Sequence, residues 1–312
     1  MSGRVVVLTG GVGGAKLVLG LSHAIDPASI TAIVNTGDDF SHVGLRVCPD
    51  IDTLLYTLAG KSDEVRGWGR AGETWNFMDA LKSIGGEDWF LLGDGDLALH
   101  VERTQRLARG QSVSEITAAY ARAWGLTQEV LPMSDDPVAT WLETDEGRLE
   151  FQRYFVGRRC APVVNAIEFV GAAQARPAEG VLERIGASDT RAILIAPSNP
   201  YLSIDPILAV PGIREALRDA KAPVVAVSPL VGGQAVKGPT KKLMDELGLK
   251  ATPHTIGAHY EGVLDGILLD ERDQASTAPT LRHAYADTLM KSLEDRVRVA
   301  RAALALADEI AA

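Results

Sequence analysis

A β-branched run that ends abruptly in glycines constrains this chain more than any other feature. Arg4-Val5-Val6-Val7-Leu8-Thr9 leads into Gly10-Gly11-Val12-Gly13-Gly14, and apolar residues then recur with helical spacing at Ala15, Leu17, Val18, Leu21 and Ala24. The order reads as strand, tight turn and helix. Ile30-Thr31-Ala32-Ile33-Val34 is a second buried strand by the same criteria, and it ends in the polar cluster Asn35-Thr36-Gly37-Asp38-Asp39. The opening of the chain therefore predicts a βαβ unit.

Further apolar runs at residues 89–92, 191–196, 223–227 and 262–269 alternate with helical stretches, which predicts an α/β fold with a mainly parallel sheet covered by helices. Each run closes on a polar loop: Gly93-Asp94-Gly95-Asp96, Pro197-Ser198-Asn199-Pro200, Ser228-Pro229-Leu230-Val231-Gly232-Gly233 and Asp270-Glu271-Arg272-Asp273. Ligands of open α/β sheets bind beyond the carboxyl ends of strands, so these loops are expected on one rim. Residues 104–125 read as helical, and residues 139–151 alternate about a Glu-Gly turn like a hairpin. A smaller helical and hairpin insertion or lid over 104–155, inside a single domain spanning 1–312, is the expected organisation. The last residues, 286–312, are expected to form one amphipathic helix packed on the core or on a second subunit.

Composition narrows the function. With 46% hydrophobic residues among 312, the chain can bury one large core or two modest ones. No stretch approaches the roughly 20 apolar residues of a membrane span, and the apolar start is cut short by Gly10, unlike a signal peptide. A cytoplasmic protein without a membrane partner is expected. Cys48 and Cys160 lie far apart without zinc-ligand spacing, and read as reduced thiols. A net charge of −10 argues against a nucleic-acid-binding protein, but leaves room for a small phosphorylated ligand held by local donors.

The glycine turn suits such a ligand. Gly10, Gly11, Gly13 and Gly14 allow backbone N–H groups to approach a phosphate at the positive end of the following helix, with Lys16 as an added point charge. A purely structural tight turn is the other reading. A nicotinamide dinucleotide is disfavoured, because Lys16 stands where the fingerprint needs a third small residue and Asn35 where it needs an acid; the P-loop spacing is also missing.

Cys48-Pro49-Asp50-Ile51-Asp52-Thr53 precedes an apolar helical run, so Asp50 and Asp52 are either helix caps or functional carboxylates. Asp38, Asp39, Asp94 and Asp96 also follow apolar runs, and this company favours magnesium on a diphosphate, held by Asp50 and Asp52, with one carboxylate taking the proton of an attacking hydroxyl. Spacing does not say which Asp does which. Ser198 with Asn199, and Ser134 with Asp135, are turn residues that either bond their own backbone or face a ligand. His100 is a candidate phosphate or base donor, and Lys237 begins a basic helix start where a phosphate or only solvent would sit. The other five histidines show no metal spacing.

Seven segments in order, Gly10 to Lys16, Val34 to Asp39, Pro49 to Tyr56, Leu92 to Asp94, Leu131 to Val138, Pro197 to Pro200 and Ala286 to Met290, resemble the CofD/FbiA family from the first strand to the start of the last helix. The resemblance implies a Rossmann-like core with helices on both faces, magnesium dependence and a homodimer. It also implies transfer of 2-phospho-L-lactate, phosphoenolpyruvate or 3-phospho-D-glycerate from a guanylated donor to the ribityl hydroxyl of the deazaflavin FO, with loss of GMP, in making coenzyme F-420. By the same resemblance, Asp50 to Thr53 belongs to the deazaflavin and metal end, while Gly10 to Gly14 and Ser198 to Asn199 line the cleft, with Asn35, Thr36 and Asp38 beside them. The family usually carries Arg where Gly95 stands here, so one guanidinium is missing from the expected rim. Two rival readings stay open: a relative that handles another nucleotide diphosphate such as a UDP-sugar, and a non-enzymatic nucleotide-sugar-binding regulator of cell-wall control.

Overall fold

The computed structural model describes residues 3–236 and 238–312; Lys237 lies outside the described residues. Seven strands form the central sheet: β1 (Arg4–Thr9), β2 (Ile30–Val34), β3 (Glu129–Pro132), β4 (Thr190–Ile195), β5 (Val224–Val227), β6 (Gly266–Asp270) and β7 (Arg282–Ala286). Their spatial order is β7-β6-β5-β4-β1-β2-β3, and every pairing is parallel. This is the Rossmann strand order with one strand added.

The continuous apolar run of β1 follows from its central place. Val5 and Val7 belong to one hydrophobic core and Val6 and Leu8 to the other, all four fully buried. Polar alternation would place a polar side chain in one of these cores, so the strand carries none between Val5 and Leu8.

Helices α1 (Gly11–Ala24), α2 (Pro49–Leu58) and α6 (Leu293–Ala311) contribute to the first core, with part of α5 (Val113–Ala123). Helices Ile213–Arg218, Thr240–Glu246 and Pro253–His259 contribute to the second. Where α6 crosses α1, a β-carbon at Gly20 would lie 2.2 Å from the Arg296 carbonyl oxygen, so only glycine permits the close approach. Two further helices, α3 (Asn76–Ser83) and α4 (Asp96–Ala108), lie between α2 and α5 in the chain.

Several expectations need correction. Residues 89–92 form no strand: Trp89 and Phe90 pack with Phe40, His42, Met78 and Leu92 in a satellite cluster, and β3 holds the place beside β2 instead. The helical stretch begins earlier than residue 104 and is broken in two, because Gly110 adopts φ +85 and Ser112 opens α5 with a capping box to Glu115. Residues 286–292 are not helical; Ala286 ends β7, and the Ser292–Asp295 capping box starts α6.

The expected hairpin is present as Ala139–Thr144 and Gly147–Glu150, and Val164–Val170 adds a third antiparallel strand to it. That small sheet stands apart from the central one, whereas β3, also within 104–155, is the central sheet's edge strand. No helix among the described residues is long and apolar enough to cross a membrane.

Candidate active site at the sheet's switch point

Strands β1 and β4 are neighbours whose following segments cover opposite faces of the sheet, and the crevice beyond their ends is where such folds bind ligands. The residues after them are in direct contact. Gly10 N–H donates to Ser198 Oγ at 3.2 Å, and Ser198 Oγ donates to the Gly10 carbonyl at 2.6 Å. Gly11 takes a left-handed φ of +65. A β-carbon at Gly13 would lie 2.7 Å from the Pro197 carbonyl oxygen, and one at Gly14 would lie 2.1 Å from Thr9 Oγ1. Packing against β1 and β4 thus requires glycine here, and the first-turn amides of α1, as in any α-helix, have no intrahelical partners. Asn199 caps the next turn, its Oδ1 accepting from Tyr201 N–H at 3.0 Å and Leu202 N–H at 3.2 Å, while its buried Nδ2 has no partner.

Asp50 reaches this turn from the start of α2, where Pro49 occupies the first helical position. Its Oδ1 accepts Gly11 N–H at 2.8 Å and its Oδ2 accepts Asn35 Nδ2–H at 3.0 Å, while Asn35 Oδ1 accepts Gly37 N–H at 2.8 Å. Burial raises the Asp50 carboxyl above the usual carboxylate range. Asp38 is raised as well, by burial first and then by the Asp50 charge. Burial pushes Asp39 up to about 7 despite Arg46, whose Nη2 is 3.4 Å from Asp39 Oδ2. Asp38 Oδ1, Asp39 Oδ1, Thr36 Oγ1 and Thr140 Oγ1 are buried without hydrogen-bond partners, and Gly37, Asp38, Asp39 and Thr140 line a small cavity. Orphaned polar atoms at this density are what a polar ligand or ion would satisfy.

The structure separates the two carboxylates expected to act together. Asp52 faces α4, where the fully buried guanidinium of Arg103 grips both of its oxygens. His100 Nδ1 is 3.3 Å from Arg103 Nη1, and His100 Nε2 lies 3.2 Å from Asp96 Oδ2 but without hydrogen-bond alignment. Tyr56 donates to Asp96 Oδ1 at 2.5 Å. Thr53, the residue after Asp52, is half-buried.

The remaining candidates have structural partners. Asp94 accepts from Thr74 Oγ1 at 2.6 Å, from Phe77 N–H at 3.0 Å and from Asn76, holding the start of α3; these bonds lower its pKa to about 2. Ser134 donates to the Arg176 carbonyl at 2.6 Å, and Asp135 accepts Ser114 N–H at 2.7 Å in the first turn of α5. Lys16 Nζ donates to the Met290 carbonyl at 2.9 Å, tying α1 to the segment before α6. The space beside Gly95 is filled: a β-carbon there would lie 1.5 Å from Arg70 Nη1.

Arg46, Tyr56, Arg103 and Thr140 were not expected from sequence. Arg103 had a signal, since Asp96, His100 and Arg103 fall at helical spacing on one face. Thr140 and Arg46 had none, because they arrive from separate hairpins.

The family model described as 2-phospho-L-lactate transferase CofD matches residues 5–305. A phosphoenolpyruvate transferase of Streptomyces griseus is 44% identical, over 99% of this chain and 100% of the relative. One of Mycobacterium sp. (strain JLS) is 40% identical, over 87% of this chain and 89% of the relative. Among solved structures, protein BH3568 of Bacillus halodurans, described as a UPF0052 family member, superposes with a TM-score of 0.62 at 19% identity, over 97% of this chain and 99% of that one.

Proposed function

The chain belongs to the CofD family, transferases of phosphorylated three-carbon acids in coenzyme F-420 biosynthesis, and on that premise we propose that it transfers phosphoenolpyruvate from a guanylated donor to the ribityl hydroxyl of FO, with release of GMP. The choice of acid rests on the likeness to relatives named phosphoenolpyruvate transferase. The single observation that carries the reading is the convergence of Asp50, Asn35 and Ser198 on the glycine turn at the switch point, with Asp38 beside Asp50.

The reaction is a phosphoryl-centred substitution. The hydroxyl oxygen forms a bond to the phosphorus carrying the enolpyruvyl group, and the bond from that phosphorus to the bridging oxygen of GMP breaks. The hydroxyl proton passes to a carboxylate of the Asp38–Asp50 pair, which binds protons more readily than exposed carboxylates because both are buried beside one another. Amides in the first turn of α1 face developing charge on the diphosphate. Arg103 neutralises Asp52 and fixes α2 against α4, which holds Asp50 in place.

Magnesium fits the corner between Asp38 and Asp50, where Asp38 Oδ1 is buried without a partner. No three His, Cys, Asp or Glu side chains among the described residues form a metal cage, and magnesium commonly takes one or two carboxylates and completes its shell with phosphate oxygens and water. One carboxylate of the two would hold it while the other takes the hydroxyl proton, and when bound it would offset charge on the departing GMP. Of the pair expected from sequence, Asp50 stays at this corner and Asp52 is assigned to positioning. A homodimer is also proposed from the family resemblance, and light scattering tests it.

Incubation of the protein with FO, magnesium and each of three donors, guanylated with phosphoenolpyruvate, 2-phospho-L-lactate or 3-phospho-D-glycerate, tests the reading by mass spectrometry. The dehydro form of F-420-0 is the expected product. Turnover confined to another donor overturns the choice of acid, and no product with any donor overturns the transfer itself.

A further inference from the structure

The rim beyond Tyr56 carries an arginine whose setting is not explained by the helix caps and ion pairs around it. Arg70 follows a turn that is pinned at both ends: Ala71 N–H donates to the Lys61 carbonyl at 2.7 Å, and Asp63 N–H donates to the Gly69 carbonyl at 3.0 Å. Its guanidinium lies against the backbone of Gly95, in the space a β-carbon would occupy.

Glu73 is the arginine's only carboxylate partner among the described residues, and the pairing is incomplete. Glu73 Oε2 is taken by Gly95 N–H at 2.6 Å, so Arg70 Nη1 reaches only Oε1, at 3.5 Å. The Glu73 side chain is 3% exposed and the Arg70 side chain 35% exposed. A guanidinium that served only to neutralise Glu73 would fork across both oxygens. Here the Nη1 end is wedged between Glu73 Oε1 and the Gly95 backbone, pointing end-on at the place of a Gly95 β-carbon, and Nε and Nη2 have no hydrogen-bond partner among the described residues.

Position selects the ligand. Tyr56 lies six positions after Asp50 along α2, a rise of about 9 Å, and Tyr56 then bonds Asp96, the residue after Gly95. Arg70, against Gly95, therefore lies toward the Tyr56 end of α2 rather than at the glycine turn, on the side to which the ring of an acceptor would extend when its ribityl hydroxyl reacts beside Asp50. Glu73, Asp94 and Asp96 crowd the same loop with negative charge, which disfavours a phosphate dianion there and leaves a neutral oxygen acceptor as the better partner.

We propose that Arg70 donates hydrogen bonds to a carbonyl oxygen on the heterocyclic ring of the acceptor, and that glycine at 95 is required because a β-carbon there would fill the space that the Nη1 end of the guanidinium occupies. The inference rests on the acceptor reading above. Guanine also bears a ring carbonyl, so the test measures both ligands.

Fluorescence titration of FO into the full chain without donor, alongside titration of GMP, reads the effect. Arg70→Ala weakens FO binding about tenfold, the size of one well-placed hydrogen bond, and leaves GMP affinity unchanged. Arg70→Lys recovers part of the loss. Gly95→Ala reproduces the Arg70→Ala defect by displacing the guanidinium. Wild-type protein that binds no FO overturns the acceptor reading and this inference together. Wild-type protein that binds FO while Arg70→Ala binds it equally well overturns this inference alone, as does a loss confined to GMP.

Discussion

The Asp50 carboxylate accepts the Gly11 amide at 2.8 Å, joining the first turn of α2 to the first turn of α1 directly above the end of β1. This contact places a buried acid where a phosphate-binding turn would otherwise present only donors. A β-carbon at Gly10 would lie 2.6 Å from Asp50 Oδ2, so the carboxylate sits close because the turn is glycine.

Asp50→Asn keeps the size of the side chain but forces its new N–H group against either Gly11 N–H or Asn35 Nδ2, both donors. Turnover should fall on the order of 10²- to 10⁴-fold, with donor affinity changed much less. Steady-state kinetics with calorimetric donor titration measures both, and unchanged turnover would remove Asp50 from the mechanism.

Arg103→Met should act through stability instead. It leaves the buried Asp52 charge unpaired, a change that costs about 3–5 kcal/mol, and Asp52→Asn in the same chain should restore part of the loss. Urea unfolding measures it. A cost under about 1 kcal/mol, as for an exposed pair, would show that Arg103 does not hold α2 to α4.

The carboxyls of Asp38, Asp39 and Asp50 are all raised, with burial the largest cause in each. Each binds its proton more tightly in the folded chain than in the unfolded one, so the stability they contribute is full below the ordinary carboxylate range and is lost as pH rises through the folded values, for Asp39 between 3.8 and about 7. Unfolding free energy of the ligand-free protein should decline over that window. Asp38→Asn should flatten the decline and stabilise the protein at neutral pH while abolishing activity, a trade-off typical of functional sites. A steeper decline in the variant contradicts the assignment.

Gly14→Ala brings a β-carbon to 2.1 Å from Thr9 Oγ1 and 2.8 Å from Ser198 Oγ. Overpacking of this kind costs about 1–3 kcal/mol, and the shift should also weaken donor binding by opening the contact between the ends of β1 and β4. Thermal unfolding and donor titration read the two effects separately.

The glycine turn and β1 were legible in the sequence because burial on both faces removes polar alternation and close approach removes side chains, leaving a pattern with few other meanings. The run at 89–92 misled because four apolar residues do not distinguish a strand from a satellite cluster packed on Phe40. Edge strands β3 and β7 were missed for the opposite reason: Glu129, Arg282 and His283 give them polar content that a central strand lacks. Asp50 and Asp52 looked like a pair in sequence, but helical geometry sends residues two apart to different sides, and only Asp50 meets the glycine turn. The approach of Arg70 to Gly95 spans 25 positions and depends on tertiary packing, so no local pattern announces it.

In the proposed transfer, FO consumption and GMP release are one event. Quantifying FO, its phosphodiester product and GMP over a full time course with wild-type protein, magnesium and the guanylated phosphoenolpyruvate donor tests it directly. Equal molar amounts of GMP released and FO consumed are expected, with neither above background for Asp50→Asn on the same timescale. GMP released while FO stays intact would mean that the site hydrolyses its donor, and would contradict the account.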